Sequence, residues 1–116
     1  MGELIDRVVS QVGIDRAVAE KSVGIILDFL SREGPAQKVE ALLARLPDHQ
    51  ALIAKAGGDG GMGGIMGVGA RLMGSGLDMN QIQSVIRAVM AYCNEIGAGS
   101  ELKAIVAAIP GLSAFI

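Results

Sequence analysis

Residue types that commonly carry catalysis or bind metal ions are scarce in this chain. His49 is the single histidine and Cys93 the single cysteine among 116 residues. A histidine-based metal site or a Cys–His nucleophile pair therefore lacks the numbers it needs. His49 follows Pro47 and Asp48, where a helix is predicted to begin, and we expect it at the surface. Cys93 falls on the apolar stripe of a predicted helix, where a thiol behaves as a small, inert hydrophobe.

A glycine-rich run has the spacing of a dinucleotide-binding loop. Gly58, Gly60 and Gly63 fit the pattern G-x-G-x-x-G. That pattern binds a pyrophosphate only when it joins a strand to a helix and an acidic residue follows on a second strand. No stretch of this chain alternates apolar and polar residues as a strand does. We therefore attribute the match to glycine content and predict no cofactor.

The carboxylates show no pairing that indicates catalysis. Those of the first half are spread beside basic residues and are predicted to lie on solvated helix faces: Glu3, Asp6, Asp15, Glu20, Asp28, Glu33 and Glu40. We predict no catalytic residues and no metal ligands. An enzyme that assembles a carboxylate pair only in three dimensions is kept as a third hypothesis, since such a site has no sequence signature.

Composition limits the classes of protein to be considered. Hydrophobic residues make up 51% and charged residues 19% of the chain, which is typical of a folded domain. A net charge of −2 with only three aromatic residues is not typical of a nucleic-acid-binding protein. No secretory signal is visible, and no uncharged apolar run reaches the roughly 20 residues that cross a bilayer. We expect a cytoplasmic protein without a transmembrane segment.

The second part of the chain repeats the first. Residues 13–53 align without gaps on residues 76–116, at a constant offset of 63. The aligned pairs include Gly13 with Gly76, Asp15 with Asp78, Gly34 with Gly97, Ala41 with Ala104 and Pro47 with Pro110. This punctuation predicts an internal duplication. We expect an all-α protein of about six to eight short helices, in two pseudo-symmetric repeats packed into one domain. Repeat one covers about 1–56, a glycine-rich linker 57–64, and repeat two about 65–116.

Helical spacing of apolar residues predicts the individual elements. Helices are expected over about 2–12, 15–32, 35–46, 48–56, 78–96 and 100–110. The second part of residues 57–76 should form one more helix, which contains Ile65, Met66, Val68, Leu72 and Met73. In the second of these, the core side is predicted to carry Val18, Val23, Ile26, Leu27 and Leu30, and the opposite side Glu20, Lys21, Gly24 and Asp28.

Helix ends are predicted from capping residues. Gly13 and Gly34 should end helices, and Pro35 should be a first helical residue. Asp15, Asp78 and Ser100 should cap helices, with Gln81 completing a capping box at Asp78.

A methionine-rich segment with Met62, Met66, Met73 and Met79 is the best candidate for binding, because methionine adapts its shape to partners.

Charged residues are unevenly distributed, with 15 in residues 1–58 and 7 in residues 59–116. The predicted interaction surface comprises Met62, Ile65, Met66, Leu72, Met73, Leu112, Phe115 and Ile116. The first hypothesis is a non-enzymatic, homo-oligomeric protein-interaction module; the alternative is a carrier or sensor of a small apolar ligand or lipid chain. Ordinary core packing beside a linker would explain the same residues.

One resemblance to a known family rests on the punctuation of the second repeat. Gly76-Leu77-Asp78-Met79, the glycine-rich centre before it and Ile109-Pro110-Gly111-Leu112 after it resemble the bacterial VcgC/VcgE-type small helical domains of unknown function. The resemblance covers most of the chain and implies a small helical fold. It implies no activity, cofactor or binding residue.

Overall fold

Helices form all the regular structure that the computed structural model describes, which covers residues 3–46, 49–55 and 64–108. They are α1 Glu3–Val12, α2 Arg16–Glu33, α3 Ala36–Leu43, α4 His49–Lys55, α5 Gly64–Gly74, α6 Met79–Glu95 and α7 Gly99–Ala108. The all-α prediction is confirmed over these ranges. Below, the first half means α1–α4 and the second half α5–α7.

Three helices are followed by a glycine whose backbone other residues rarely adopt. Gly13, Gly76 and Gly97 have φ values of +79°, +106° and +83°. Only glycine enters this left-handed region without a steric penalty. The N–H of Gly13 donates to the carbonyl of Val9 over 2.9 Å, which closes α1 as predicted.

The helix starts agree with the predictions at Asp78 and differ at Asp15 and Ser100. The carboxylate of Asp78 accepts from the Gln81 N–H at 2.8 Å, and the Gln81 side chain accepts from the Asp78 N–H at 3.0 Å. Asp15 occupies the N-cap of α2, but its side chain makes no capping hydrogen bond, so that part of the prediction is wrong. Ser100 is not a cap either, because α7 already begins at Gly99.

The third helix is shorter than predicted. Pro35 is its N-cap rather than its first helical residue, and α3 ends at Leu43 rather than near Leu46. Past that point the N–H groups of Arg45 and Leu46 bond to carbonyls three residues back, at 3.0 and 2.9 Å. These tighter bonds end the α-helix.

Helix α2 is central, and α1, α3, α4, α5 and α6 all pack against it. Every residue from Ser22 to Leu30 is buried. The predicted solvent face is therefore wrong at Gly24 and Asp28. The prediction failed because helices from both halves cover sides of α2 that would be exposed to solvent in a one-sided amphipathic helix.

A single hydrophobic core joins the two halves. Its fully buried side chains include Val8 and Leu27 from the first half, and Ile82 and Ile105 from the second. The two halves therefore share one hydrophobic core over the described residues.

Gly34 is needed for space rather than for its backbone angle. Its φ is −86°, which any residue adopts. A Cβ built there would lie 2.7 Å from the Leu30 carbonyl oxygen, 2.8 Å from Val39 and 3.0 Å from Ile105. The chain thus reverses between α2 and α3 in a position with no room for a side chain.

Gly34→Ala and Gly69→Ala should change stability in opposite directions. The first overpacks the α2–α3 turn and should cost about 1–3 kcal/mol. The second adds a Cβ in α5 where nothing lies within 4 Å. It should stabilise by roughly 0.5–1 kcal/mol, since alanine loses less backbone entropy than glycine in a helix. Urea unfolding of both variants checks this, and a stability loss of similar size in both would contradict it.

Candidate interaction surface

The predicted surface residues fall into three groups in the structure. Met62, Leu112, Phe115 and Ile116 lie outside the described residues, as do the side chains of Ile65 and Met66. Leu72 is 2% exposed and belongs to the core, whereas Met73 beside it is 51% exposed. Of the eight, Met73 is therefore the described residue that presents a side chain to solvent.

Met79 is the second exposed methionine. It is 47% exposed at the first position of α6, and together with Met73 it flanks the turn between α5 and α6. We call residues 73–79 the α5–α6 corner. Among the described residues these two are the exposed large hydrophobic side chains. The methionine-rich segment of the sequence included both of them.

Hydrogen bonds and buried anchors hold the corner in one shape. The Ser75 hydroxyl donates to the Leu72 carbonyl at 2.6 Å, and the Gly76 N–H donates to the Met73 carbonyl at 3.1 Å. Leu72 and Leu77, on either side of the turn, are 2% and 4% exposed. A fixed backbone lowers the ordering cost of binding a partner here.

Ionisable side chains in and beside the corner are limited to Asp78 within it and Arg71 just before it. Arg71 points away to Asp28 on α2, at 3.1 Å, and Asp78 is engaged in the capping box. The sequence from Leu72 to Leu77 contains no ionisable side chain. Met73 therefore lies beside small, neutral residues, whereas Met79 directly follows Asp78.

The candidate reactive groups occupy structural positions. Cys93 is fully buried, as predicted, and burial raises the pKa of its thiol to about 11, so the thiol stays protonated at neutral pH. His49 is half-buried, with Nδ1 2.7 Å from the Leu46 carbonyl oxygen. Within residues 3–46, 49–55 and 64–108, no three His, Cys, Asp or Glu side chains are placed to share a metal ion.

Ion pairs connect the halves at three places. Arg7 on α1 pairs with Glu95 on α6 through two hydrogen bonds, one of 2.6 Å. Arg71 on α5 pairs with Asp28 at 3.1 Å. Arg45, after α3, lies 3.8 Å from a carboxylate oxygen of α7 and donates to the Ile96 carbonyl at 3.3 Å. The α1–α6 and α2–α5 interfaces thus each contain an ion pair, and a third lies beside the α3–α7 interface.

The Arg7–Glu95 pair also shapes local electrostatics. Hydrogen bonding to Arg7 lowers the pKa of Glu95 and raises that of Arg7. The Arg7 guanidinium lies 5.8 Å from the ring centre of Tyr92, within range of a cation–π contact. Burial raises the pKa of the Tyr92 hydroxyl. The two side chains are 26% and 56% exposed, so screening by water limits what the pair contributes to stability.

The Asp28–Arg71 pair is the buried one. Their side chains are 8% and 19% exposed, and Asp28 also lies 3.3 Å from Arg32 one turn along α2. Burying a carboxylate is costly unless charged partners compensate it. Sequence reasoning missed this contact because its partners are 43 residues apart.

Comparisons with known proteins add no relative. No protein-family model, curated protein or solved structure matches the chain. The resemblance to VcgC/VcgE-type domains stays a prediction. No described helix combines the length and apolarity needed to cross a membrane.

Proposed function

We propose that this chain is a non-enzymatic interaction module that self-associates through the α5–α6 corner. The observation that carries the proposal is the exposure of Met73 and Met79, at 51% and 47%, on an anchored turn. Exposed methionines supply polarisable and adaptable contact area. A surface that holds them rigidly in water is better suited to a partner than to solvent.

The occupant we assign is a second copy of the chain. In a twofold dimer the same patch meets itself, so a charged patch would face its own charge. From Leu72 to Leu77 the chain carries no ionisable side chain, so this stretch can meet its copy without a like-charge contact. The one carboxylate of the corner, Asp78, accepts a hydrogen bond in the capping box of α6.

The proposal includes the internal duplication, with α1, α2 and α3 equivalent to α5, α6 and α7. The packing supports this equivalence. When each helix is replaced by its equivalent, every close contact among these six helices becomes a close contact that the structure also contains. The contact of α1 with α6 becomes that of α5 with α2, and α1 with α2 becomes α5 with α6. The contact of α2 with α3 becomes α6 with α7, while α2–α6 and α3–α7 map onto themselves.

Met73→Ser with Met79→Ser tests the surface. We expect the wild-type protein to show a dimer in sedimentation velocity at high micromolar concentration, and the double variant to dissociate about tenfold more readily. Both side chains are exposed, so the far-UV spectrum and melting temperature of the monomer should be unchanged.

Gln37→Ser is the matched control, because it shortens an exposed, flexible side chain on α3. It should leave association unchanged. A wild-type protein that remains monomeric throughout this range would contradict the proposal. Native mass spectra of gently purified protein report the alternative directly: extra mass on each chain would indicate a carried small molecule instead of a second copy.

A further inference from the structure

The interface between the two halves has the character of a dimer interface within one chain. Helix α1 packs on α6, α5 packs on α2, and α3 packs on α7. The Arg7–Glu95 and Asp28–Arg71 pairs both cross this interface. Each half thus presents to the other a complementary apolar and charged surface.

The charges on this interface differ between the two equivalent positions. This step rests on the duplication proposed above. At the offset of 63 residues, Asp28 and Arg71 correspond to Ala91 and Val8, on the packed helices α6 and α1. The place equivalent to the Asp28–Arg71 ion pair is therefore occupied by Ala91 and Val8. Val8 is fully buried, so the apolar version is compatible with the same packing.

The charges of the Arg7–Glu95 pair are likewise not repeated at the equivalent positions. Arg7 and Glu95 correspond to Ala70 and Arg32. If two first halves paired with each other, Arg7 would face Arg32, and Val8 would face the Asp28 carboxylate. A like-charge contact and a buried carboxylate facing valine both oppose that assembly. The first half is therefore built to accept a second half and to reject another first half.

We propose that a second copy of this chain binds at this interface by reciprocal exchange of halves, so that each first half packs against the second half of the other copy. The contacts are those already present within one chain, which makes exchange an inexpensive route to a dimer. By sequence, eight residues link Lys55 to Gly64, and five of them are glycine. Such a link reaches roughly 28 Å when extended, similar to the molecule's own extents of 31 × 30 × 25 Å.

Two single variants test the exchange because they can complement each other only between chains. Asp28→Ala and Arg71→Val each leave one charged partner behind. When the two full-length variants are unfolded and refolded together, exchange creates one native ion pair and one alanine–valine pair. We expect a heterodimer well above the statistical half of all dimers in native mass spectra, and a mixture melting close to wild type.

The double variant Asp28→Ala/Arg71→Val is the control, since both of its positions are matched within one chain. Refolded with wild type, it should give no excess of heterodimer. Both experiments are repeated with Met73→Ser/Met79→Ser in every chain, which removes the α5–α6 corner. Excess heterodimer that survives this change supports exchange even if the corner does not self-associate. Monomers melting separately, or heterodimers that vanish with the corner change, overturn the exchange.

Discussion

Replacing Ile25 by alanine should lower the free energy of unfolding by about 3 kcal/mol, as much as replacing Leu27. The two side chains are 1% and 0% exposed although they point to different sides of α2. Because neighbouring helices cover both sides, each truncation leaves a cavity inside the core rather than a gap open to water. The equality of the two effects is the signature of a central helix.

Urea unfolding of both variants, monitored by far-UV circular dichroism, measures these losses. Lys21→Ala, at an exposed position of the same helix, is the control and should change stability by less than about 0.5 kcal/mol. If α2 were an ordinary amphipathic helix with a solvent face, the Ile25 variant would resemble the Lys21 control. That result would contradict the burial of Ile25 between α2 and its neighbours.

Helix ends were predictable because their causes are local. Gly13 and Gly76 end α1 and α5 through positive φ values, and the Asp78–Gln81 pair starts α6 through bonds spanning three residues. A short sequence pattern contains all the atoms involved. Asp15 shows the limit, because the same residue type at the same position makes no capping bond. The capping partner Gln81 has no equivalent glutamine at position 18, which is Val18.

The burial of Asp28 was not predictable from local pattern. Its partner Arg71 lies on another helix 43 residues away, and no spacing rule connects them. One signal was present: from Ser22 to Leu27 the chain has no charged residue, which suits a helix buried on several sides. The predicted stripe included Ile26 and Leu27 but left Ile25 unplaced.

The sequence could predict which residue types form the candidate surface but not which of those residues are exposed. The sequence singled out methionines, and the structure separates Met73 and Met79 at the surface from Leu72 in the core. Helical periodicity alone gives only the direction in which each side chain leaves the helix axis. Which direction is solvent depends on α2 and α6, which pack against α5 from distant parts of the chain.

Arg71→Val should cost about 2–4 kcal/mol, because it removes one partner of a buried ion pair and leaves the carboxylate in place. Asp28 is 8% exposed and would still face Arg32, which limits the loss. Asp28→Ala should cost less than Arg71→Val. The Arg71 side chain is 19% exposed, and its long stem allows the guanidinium to turn toward water.

The double variant Asp28→Ala/Arg71→Val should recover most of the loss, since it reproduces the residues found at the equivalent positions 91 and 8. Urea unfolding at low micromolar concentration gives the four stabilities of this double-mutant cycle, in single chains free of association. A coupling of about 1.5 kcal/mol or more would show that the pair acts as a unit. The stability of the double variant also distinguishes two roles for the Asp28–Arg71 pair, namely stabilising the fold and selecting the partner half. If the fold survives without the two charges, they are not needed for stability. Their retention would then reflect selection of the correct half as partner. Additive losses in the double variant would instead make both residues independent supports of the core.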